Sequence, residues 1–197
     1  MSDATDRRVI AWCSVSIDGY SSGPEGPAKD TWLYRHALDD ATAEHFEGIW
    51  RGCSSALVGK NNYLGFHAVW PAITRDPATD HRTRALGRWL DDVDKAVVST
   101  TLTETPWSNS RVFPDSHSAV DALRAEEGTN VLVMNSATLI QSLLREDLVD
   151  DLRLAVVPVM LGGGLRLLPD DAAGSWSLAS TTVLAHGAVS LHYRRER

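Results

Sequence analysis

One stretch limits the possible folds more than any other: Val131 to Leu168, VLVMNSATLIQSLLREDLVDDLRLAVVPVMLGGGLRLL. It opens on Val131-Leu132-Val133-Met134, an apolar run too short for a helix and flanked by polar residues, which reads as a buried strand. Asn135-Ser136 follows, a pair suited to the N-terminus of a helix. Leu139, Ile140, Leu143, Leu144 and Leu148 then recur at helical spacing. A second apolar run, Leu152 to Leu161, carries Pro158 and ends in Gly162-Gly163-Gly164. Strand, polar turn, helix and strand make a βαβ unit. Its first turn is where an open α/β sheet places a ligand.

The 197 residues fit one domain with a sizeable core. With 43% hydrophobic and 23% charged residues the composition is that of a globular protein. A net charge of -7 argues against a nucleic-acid surface, which clusters Lys and Arg. No run approaches the roughly 20 apolar residues of a membrane helix, so no membrane partner is expected. The opening MSDATDRR has no apolar signal core, which makes the cytoplasm the expected compartment. Cys13 and Cys53 sit in or beside apolar runs and read as reduced structural thiols.

The first strand spans Val9 to Ile17 and runs into Asp18-Gly19-Tyr20 and a loop rich in Gly, Pro and Ser. Asp-Gly is a turn signal; a carboxylate at the mouth of a central strand also suits a proton donor or a hydrogen bond to substrate. A helix is expected from about Leu38 to Arg51, with Asp39, Asp40, Glu44 and Glu47 as a solvated face. The next strand, Ser54 to Val58, leads into Gly59-Lys60-Asn61-Asn62-Tyr63. Glycine leaving a strand, then Lys and Asn opening a helix, suits either phosphate binding or an ordinary capped start. Phe66 to Asp80, with Trp70-Pro71 and Asp76-Pro77, reads as loop. A helix near His81 to Leu90 and a strand at Ala96-Val97-Val98 come next. Ser99-Thr100-Thr101 at that strand's end suits a ribose, its phosphate, or a turn. Arg111-Val112-Phe113 is too short to assign, and Ser116 to Glu127 reads as a helix stopped by Gly128. Trp176 to Leu184 and Ala188 to Arg194 form a hairpin around Ala185-His186-Gly187. No helix separates those last strands, so they are expected to lie antiparallel.

The expected fold class is therefore α/β: a mixed, mostly parallel sheet, helices on both faces and a C-terminal antiparallel hairpin. Residues 8–197 are expected to form one domain after a flexible segment, 1–7. Scattered histidines and the absence of Cys-x-x-Cys give no zinc site, so no metal is expected. The Gly-x-Ser-x-Gly elbow, the Gly-x-Gly-x-x-Gly fingerprint and the Walker A loop are all missing. Gly162 to Gly164 most simply permits positive φ in a sharp turn.

The order of these features resembles the dihydrofolate reductase superfamily. The shared elements are a strand ending Ser-Ile-Asp-Gly-Tyr, a strand-to-helix Gly-Lys-Asn-Asn-Tyr, a Val-Val-Ser-Thr turn and the opening stretch. Within it the chain is similar to the branch of RibD-type, riboflavin-biosynthesis reductase domains. Leu-Val-Asp-Asp-Leu and Pro-Val-Met-Leu-Gly-Gly-Gly match that branch's pattern most closely, and the likeness covers about residues 8 to 194.

The resemblance implies a three-layer dihydrofolate reductase-like fold. It also implies an NADPH-dependent reductase, with NADH as a possible substitute, passing a hydride to a small heterocyclic (pterin- or pyrimidine-like) or carbonyl substrate. A homodimer is implied as well. By position, Gly59, Lys60 and Asn61 would hold the phosphates. Ser99 and Thr100 would flank the adenosine ribose and its 2′-phosphate. Met134, Asn135, Ser136, Ala137, Thr138 and Leu139 would wrap the pyrophosphate and nicotinamide. Ser14 and Ile17 would line the nicotinamide pocket, with Asp18 as the catalytic residue and its loop closing over the site.

Four positions depart from the family pattern. Lys60 stands for an arginine, losing the bidentate fork. Thr100 stands where many members have a basic residue, and Asn135-Ser136 where the turn is often Gly-Gly or Gly-Ser. Ala43 stands at the place of the pterin-binding carboxylate, with Glu44 beside it. These departures motivate a second reading, a non-catalytic nucleotide or small-molecule binder that keeps the fold.

Overall fold

The computed structural model describes residues 7–197. Three strands fill its centre: β1 (Val9–Ser16), β6 (Asn130–Met134) and β7 (Asp151–Val157). On each, alternate residues serve opposite faces, as a pleated strand requires. Val9, Ala11, Cys13 and Val15 of β1 join Val131, Val133, Leu152 and Leu154 in one core. Ile10 and Trp12 join Leu132, Met134, Ala155 and Val157 in the other. Both faces are therefore covered, and the strands read as apolar runs without a polar side.

The remaining elements follow in chain order. They are β2 (Tyr20–Ser22), α1 (Tyr34–Ala37), α2 (Asp40–Trp50), β3 (Cys53–Gly59), α3 (Lys60–Arg75), α4 (His81–Asp92), β4 (Asp94–Val98) and β5 (Ser110–Phe113). After β5 come α5 (Ser116–Ala125), α6 (Ala137–Arg145), β8 (Leu165–Arg166), β9 (Ser175–Val183) and β10 (Val189–Glu196). Eight strands form one sheet in the order β5-β4-β3-β6-β1-β7-β10-β9. β1 is parallel to β6 and β7, whereas β10 is antiparallel to both β7 and β9. Ala119, Val120, Leu123, Ile140 and Leu143 place α5 and α6 on the first core. Ile49, Trp50, Tyr63 and Leu90 place α2, α3 and α4 on the second. The mixed sheet, the helices on both faces and the terminal hairpin are as expected. His186 (φ 55) and Gly187 (φ 79) make the hairpin's turn.

Four expectations change. Phe66 to Arg75 is helix rather than loop, because α3 continues through Pro71; only Asp76 to Asp80 is loop as expected. Proline costs that helix a hydrogen bond, but Phe66 and Trp70 pack on the second core. A Cβ on Gly87 of α4 would lie 2.0 Å from Thr74 Oγ1, so the two helices touch where only glycine fits. The helix ends where Asp76 precedes Pro77 and takes extended backbone (ψ 117). The second strand of the βαβ unit stops at Val157, because Pro158 has no N–H to continue the ladder. Val112, left unassigned, lies in an edge strand paired with β4. Arg7, expected in the flexible segment, is buried and donates to the carbonyls of Leu123 and Thr129 and to Ser54 and Ser55. The rest of that segment, 1–6, lies outside the described residues.

Candidate functional site

The turn between β6 and α6 is held by its own side chains, bonded to backbone of β1 and β3, and by one side chain from α3. Asn135 has φ 50, in the left-handed region that Asn tolerates better than most residues. Its Oδ1 accepts the N–H of Ser14 on β1 at 3.2 Å, and its own N–H donates to Trp12 at 2.9 Å. From α3, Asn62 Nδ2 donates to the carbonyls of Asn135 (2.9 Å) and Met134 (3.5 Å). Ser136 Oγ accepts the N–H of Gly59 at 3.3 Å, tying the start of α6 to the start of α3. Neither helix start receives a side-chain cap, so first-turn N–H groups of both face the same gap. Such a pair of positive helix ends suits an anion.

Three clefts meet at this turn. The first, about 440 Å³, is lined by Gly59, Lys60, Asn61, Asn62, Val98, Pro114, Asp115, Ser116, Ser136, Thr138, Leu139, Ser142 and Glu146. The second, about 310 Å³, lies between the turn and the loop after β1, with Ser14, Ser21, Ser22, Asp30, Tyr34, Asn61, Asn62, Asn135, Ala137 and Thr138 on its walls. The third, about 200 Å³, is walled by Trp12, Phe46, Trp50, Phe66, Trp70, Leu86 and Met134. Asn61, Asn62 and Thr138 line both the first and the second, and Ser14 and Asn135 line both the second and the third. The clefts therefore adjoin as one bent trough.

Most of the residues expected at a site come together here. Gly59, Lys60, Asn61, Ser136, Thr138 and Leu139 line the first cleft, Ala137 the second and Met134 the third. Ser99 and Thr100 line none of the three clefts; they follow Val98, which lines the first, and the next residue, Thr101, accepts from Lys60 Nζ at 2.7 Å. Ser99 Oγ itself accepts the N–H groups of Thr101 and Leu102, so it also shapes the turn. Ile17 does not join them: the residue is 56% exposed and lines none of the three clefts. Its backbone N–H is bonded to Val159 instead.

Asp18 takes a role different from proton donor. Its carboxylate accepts the N–H of Gly162 at 2.7 Å and that of Leu161 at 3.1 Å, clamping the glycine turn to the end of β1. The Ser16 hydroxyl and the Gly162 and Leu161 N–H groups hold its carboxyl down at about 2. Such a group is ionised at neutral pH and has no proton to give. A folded value below the ordinary 3.8 contributes stability that is present above pH 4 and lost as pH falls toward 2. Asp18→Asn is expected to lower thermal stability at pH 7 and to remove part of the acid unfolding transition between about pH 4 and pH 2, followed by circular dichroism. A pH-independent stability difference between the two proteins would remove the clamp.

The sequence reading missed two groups. Glu146, just past α6, accepts hydrogen bonds from Ser116 (2.9 Å) and Ser142 (3.0 Å) and sets a carboxylate at the far end of the first cleft. The aromatic wall of the third cleft is gathered from β1, α2 and α3, whose spacing in sequence gives no local signal. Ala43 lines this cleft, and Glu44 lies 3.6 Å from Arg82.

The strand order, with its parallel centre and antiparallel C-terminal hairpin, defines a dihydrofolate reductase-like α/β protein. The chain belongs to the RibD C-terminal domain family, whose model matches residues 7–190. It is 23% identical over 193 residues to the uncharacterized protein YwjB of Bacillus subtilis, covering 96% of this chain and 99% of that one. Among solved structures it is similar to a putative riboflavin biosynthesis protein from Shewanella sp. PV-4. There the TM-score is 0.73 at 22% identity, over 96% of this chain and 99% of that one. It also resembles a Thermotoga maritima protein described as a diaminohydroxyphosphoribosylaminopyrimidine deaminase and 5-amino-6-(5-phosphoribosylamino)uracil reductase. That match has a TM-score of 0.66 at 14% identity, over 97% of this chain and 57% of that one. No helix among the described residues is long and apolar enough to cross a membrane.

Proposed function

We propose that the chain is an NAD(P)H-dependent reductase acting on a small heterocyclic or carbonyl substrate. The observation that carries this reading is the trough: two uncapped helix starts and Lys60 at one end, an aromatic wall at the other, and Ser14 and Asn135 between. The dinucleotide phosphates fit the N–H groups of α3 and α6 and the Lys60 ammonium. The adenosine half fits the first cleft beside Ser99 and Thr100, and the nicotinamide fits the second, against Ser14 and Asn135. When bound, the cofactor supplies the hydride.

What the protein itself supplies is position and exclusion of water. The Asn135 turn is held from three sides, so groups seated on either side of it keep a fixed separation. The aromatic wall excludes water from the reacting face. Lys60 places one positive charge where the phosphates lie, although Thr101 holds it without a second cation beside it. The homodimer implied by the family is also proposed, with the exposed edge strand β9 and its Leu178 and Val183 as the contact surface.

Titration with NADPH tests the reading directly. Trp12, Trp50 and Trp70 line the third cleft, so saturable quenching of tryptophan fluorescence is expected, together with a raised melting temperature. At a hundredfold excess over Kd the ligand adds about 2.7 kcal/mol of stability. No quenching and no thermal shift at millimolar NADPH or NADH would overturn it. Saturable binding without NADPH consumption on any heterocycle would leave the non-catalytic binder in its place.

A further inference from the structure

We propose that the substrate is a flat, uncharged aromatic compound that carries no phosphate. This rests on the reductase reading and adds the chemical class of what is reduced.

The argument is one of charge and shape. Among the residues lining the second and third clefts, Arg82 is the only Lys, Arg or His. Its guanidinium is already spent: Nε donates to Asp40 at 2.9 Å, Nη2 lies 3.6 Å from Glu44, and Nη1 donates to Glu47. Glu47 is shared in turn with Arg51 at 2.6 Å. Two guanidinium groups therefore face three carboxylates, and of these five only Arg82 and Glu47 line the third cleft, where they are paired with each other. The second cleft contributes a further carboxylate, Asp30, which is 7% exposed and accepts from Gly23 N–H and Trp32 Nε1. A phosphate dianion entering either cleft would meet like charge and no free cation.

The other cation of the trough, Lys60, lies in the first cleft, at the end assigned to the cofactor phosphates. Anion recognition is thus concentrated at one end and withheld from the other. What the third cleft does offer is an aromatic, largely apolar wall of Trp12, Phe46, Trp50 and Trp70, with Trp12 and Phe46 stacked on each other at 5.1 Å, a lining that suits an uncharged ring. Its spare polar group is neutral: Thr42, 7% exposed, has a hydroxyl oxygen with no hydrogen-bond partner. A neutral carbonyl or ring nitrogen satisfies such a hydroxyl without bringing charge into an apolar space.

A matched pair of probes tests this. Isothermal titration of the NADPH-saturated protein with 1-naphthol and with 1-naphthyl phosphate compares one ring system with and without the charge. The neutral compound is expected to bind at least tenfold more tightly. Glu47→Gln and Asp40→Asn each release part of Arg82, and the gap between the two probes is expected to narrow in both. The second variant alters an exposed surface carboxylate, so it guards against a misfolded first. Equal or tighter binding of the phosphate ester to the unsubstituted protein would overturn the proposal. So would an unchanged gap in both variants, or a failure of 1-naphthol to bind while NADPH binds. Failure of NADPH itself to bind would instead overturn the reductase reading.

Discussion

Replacing Gly164 by alanine is expected to destabilise the protein by about 3 kcal/mol, whereas the same change at Gly163 leaves it within about 0.5 kcal/mol of the parent. The three glycines of the turn look alike in sequence and differ in what surrounds them. Gly164 has φ +119, and a Cβ there would lie 2.1 Å from the Ser22 carbonyl oxygen and 2.6 Å from the Gly23 carbonyl carbon. Those neighbours are backbone and have no rotamer to yield. Gly162 has φ +69 with open space around it, so alanine there costs only the left-handed conformation, about 1 kcal/mol. Gly163 is outside the left-handed region and meets nothing within 4 Å. For a chain of this size 3 kcal/mol lowers the melting temperature by roughly 6–12 °C. Calorimetry of the three variants checks the order, and a Gly163→Ala protein as unstable as Gly164→Ala would refute it. Because the clash falls on β2, which pairs with β8 and walls the second cleft, Gly164→Ala is also expected to reduce turnover.

Lys60→Ala is expected to weaken NADPH by roughly 10–100-fold, the worth of a charge-assisted hydrogen bond of about 1.5–3 kcal/mol. No second cation lines the first cleft to compensate, and Asp115 and Glu146 add negative charge to its walls. If the ammonium meets the 2′-phosphate, NADH is weakened much less. Equal weakening of both cofactors would move Lys60 to the pyrophosphate, and no weakening of either would remove it from the site. The loss should shrink as salt is raised, since the cleft is open to solvent. Dissociation constants of both cofactors at low and high salt decide among these outcomes.

The parts of the molecule that were legible in sequence are those whose cause is local. The apolar runs of β1 and β6, the 3.6 spacing of α6 and the strand-end turns at Gly59, Ser99 and Asn135 each lie within a dozen residues. Carried by the family resemblance, they placed most of the first two clefts. What stayed hidden depends on partners far along the chain. The second half of α3 holds together against α4 through the Gly87–Thr74 contact, despite Pro71. β2 and β8 are three and two residues long and exist only as a pair. The aromatic cleft draws on residues between Trp12 and Met134, and no window spans that distance. Asp18 was noticed for its place at a strand mouth, yet its partners are some 140 residues away, at Leu161 and Gly162.

The residues common to adjoining clefts carry one further consequence. Ser14 and Asn135 border both the second and the third, and they are hydrogen-bonded to each other. Two ligands lying side by side in the trough would press on the same pair of residues. Their affinities are then thermodynamically coupled, and the coupling is reciprocal: whatever factor the first ligand imposes on the second, the second imposes on the first. Cooperativity between two ligands, in such a protein, is a property of one hydrogen-bonded pair, a residue of a central strand and one in the turn beside it.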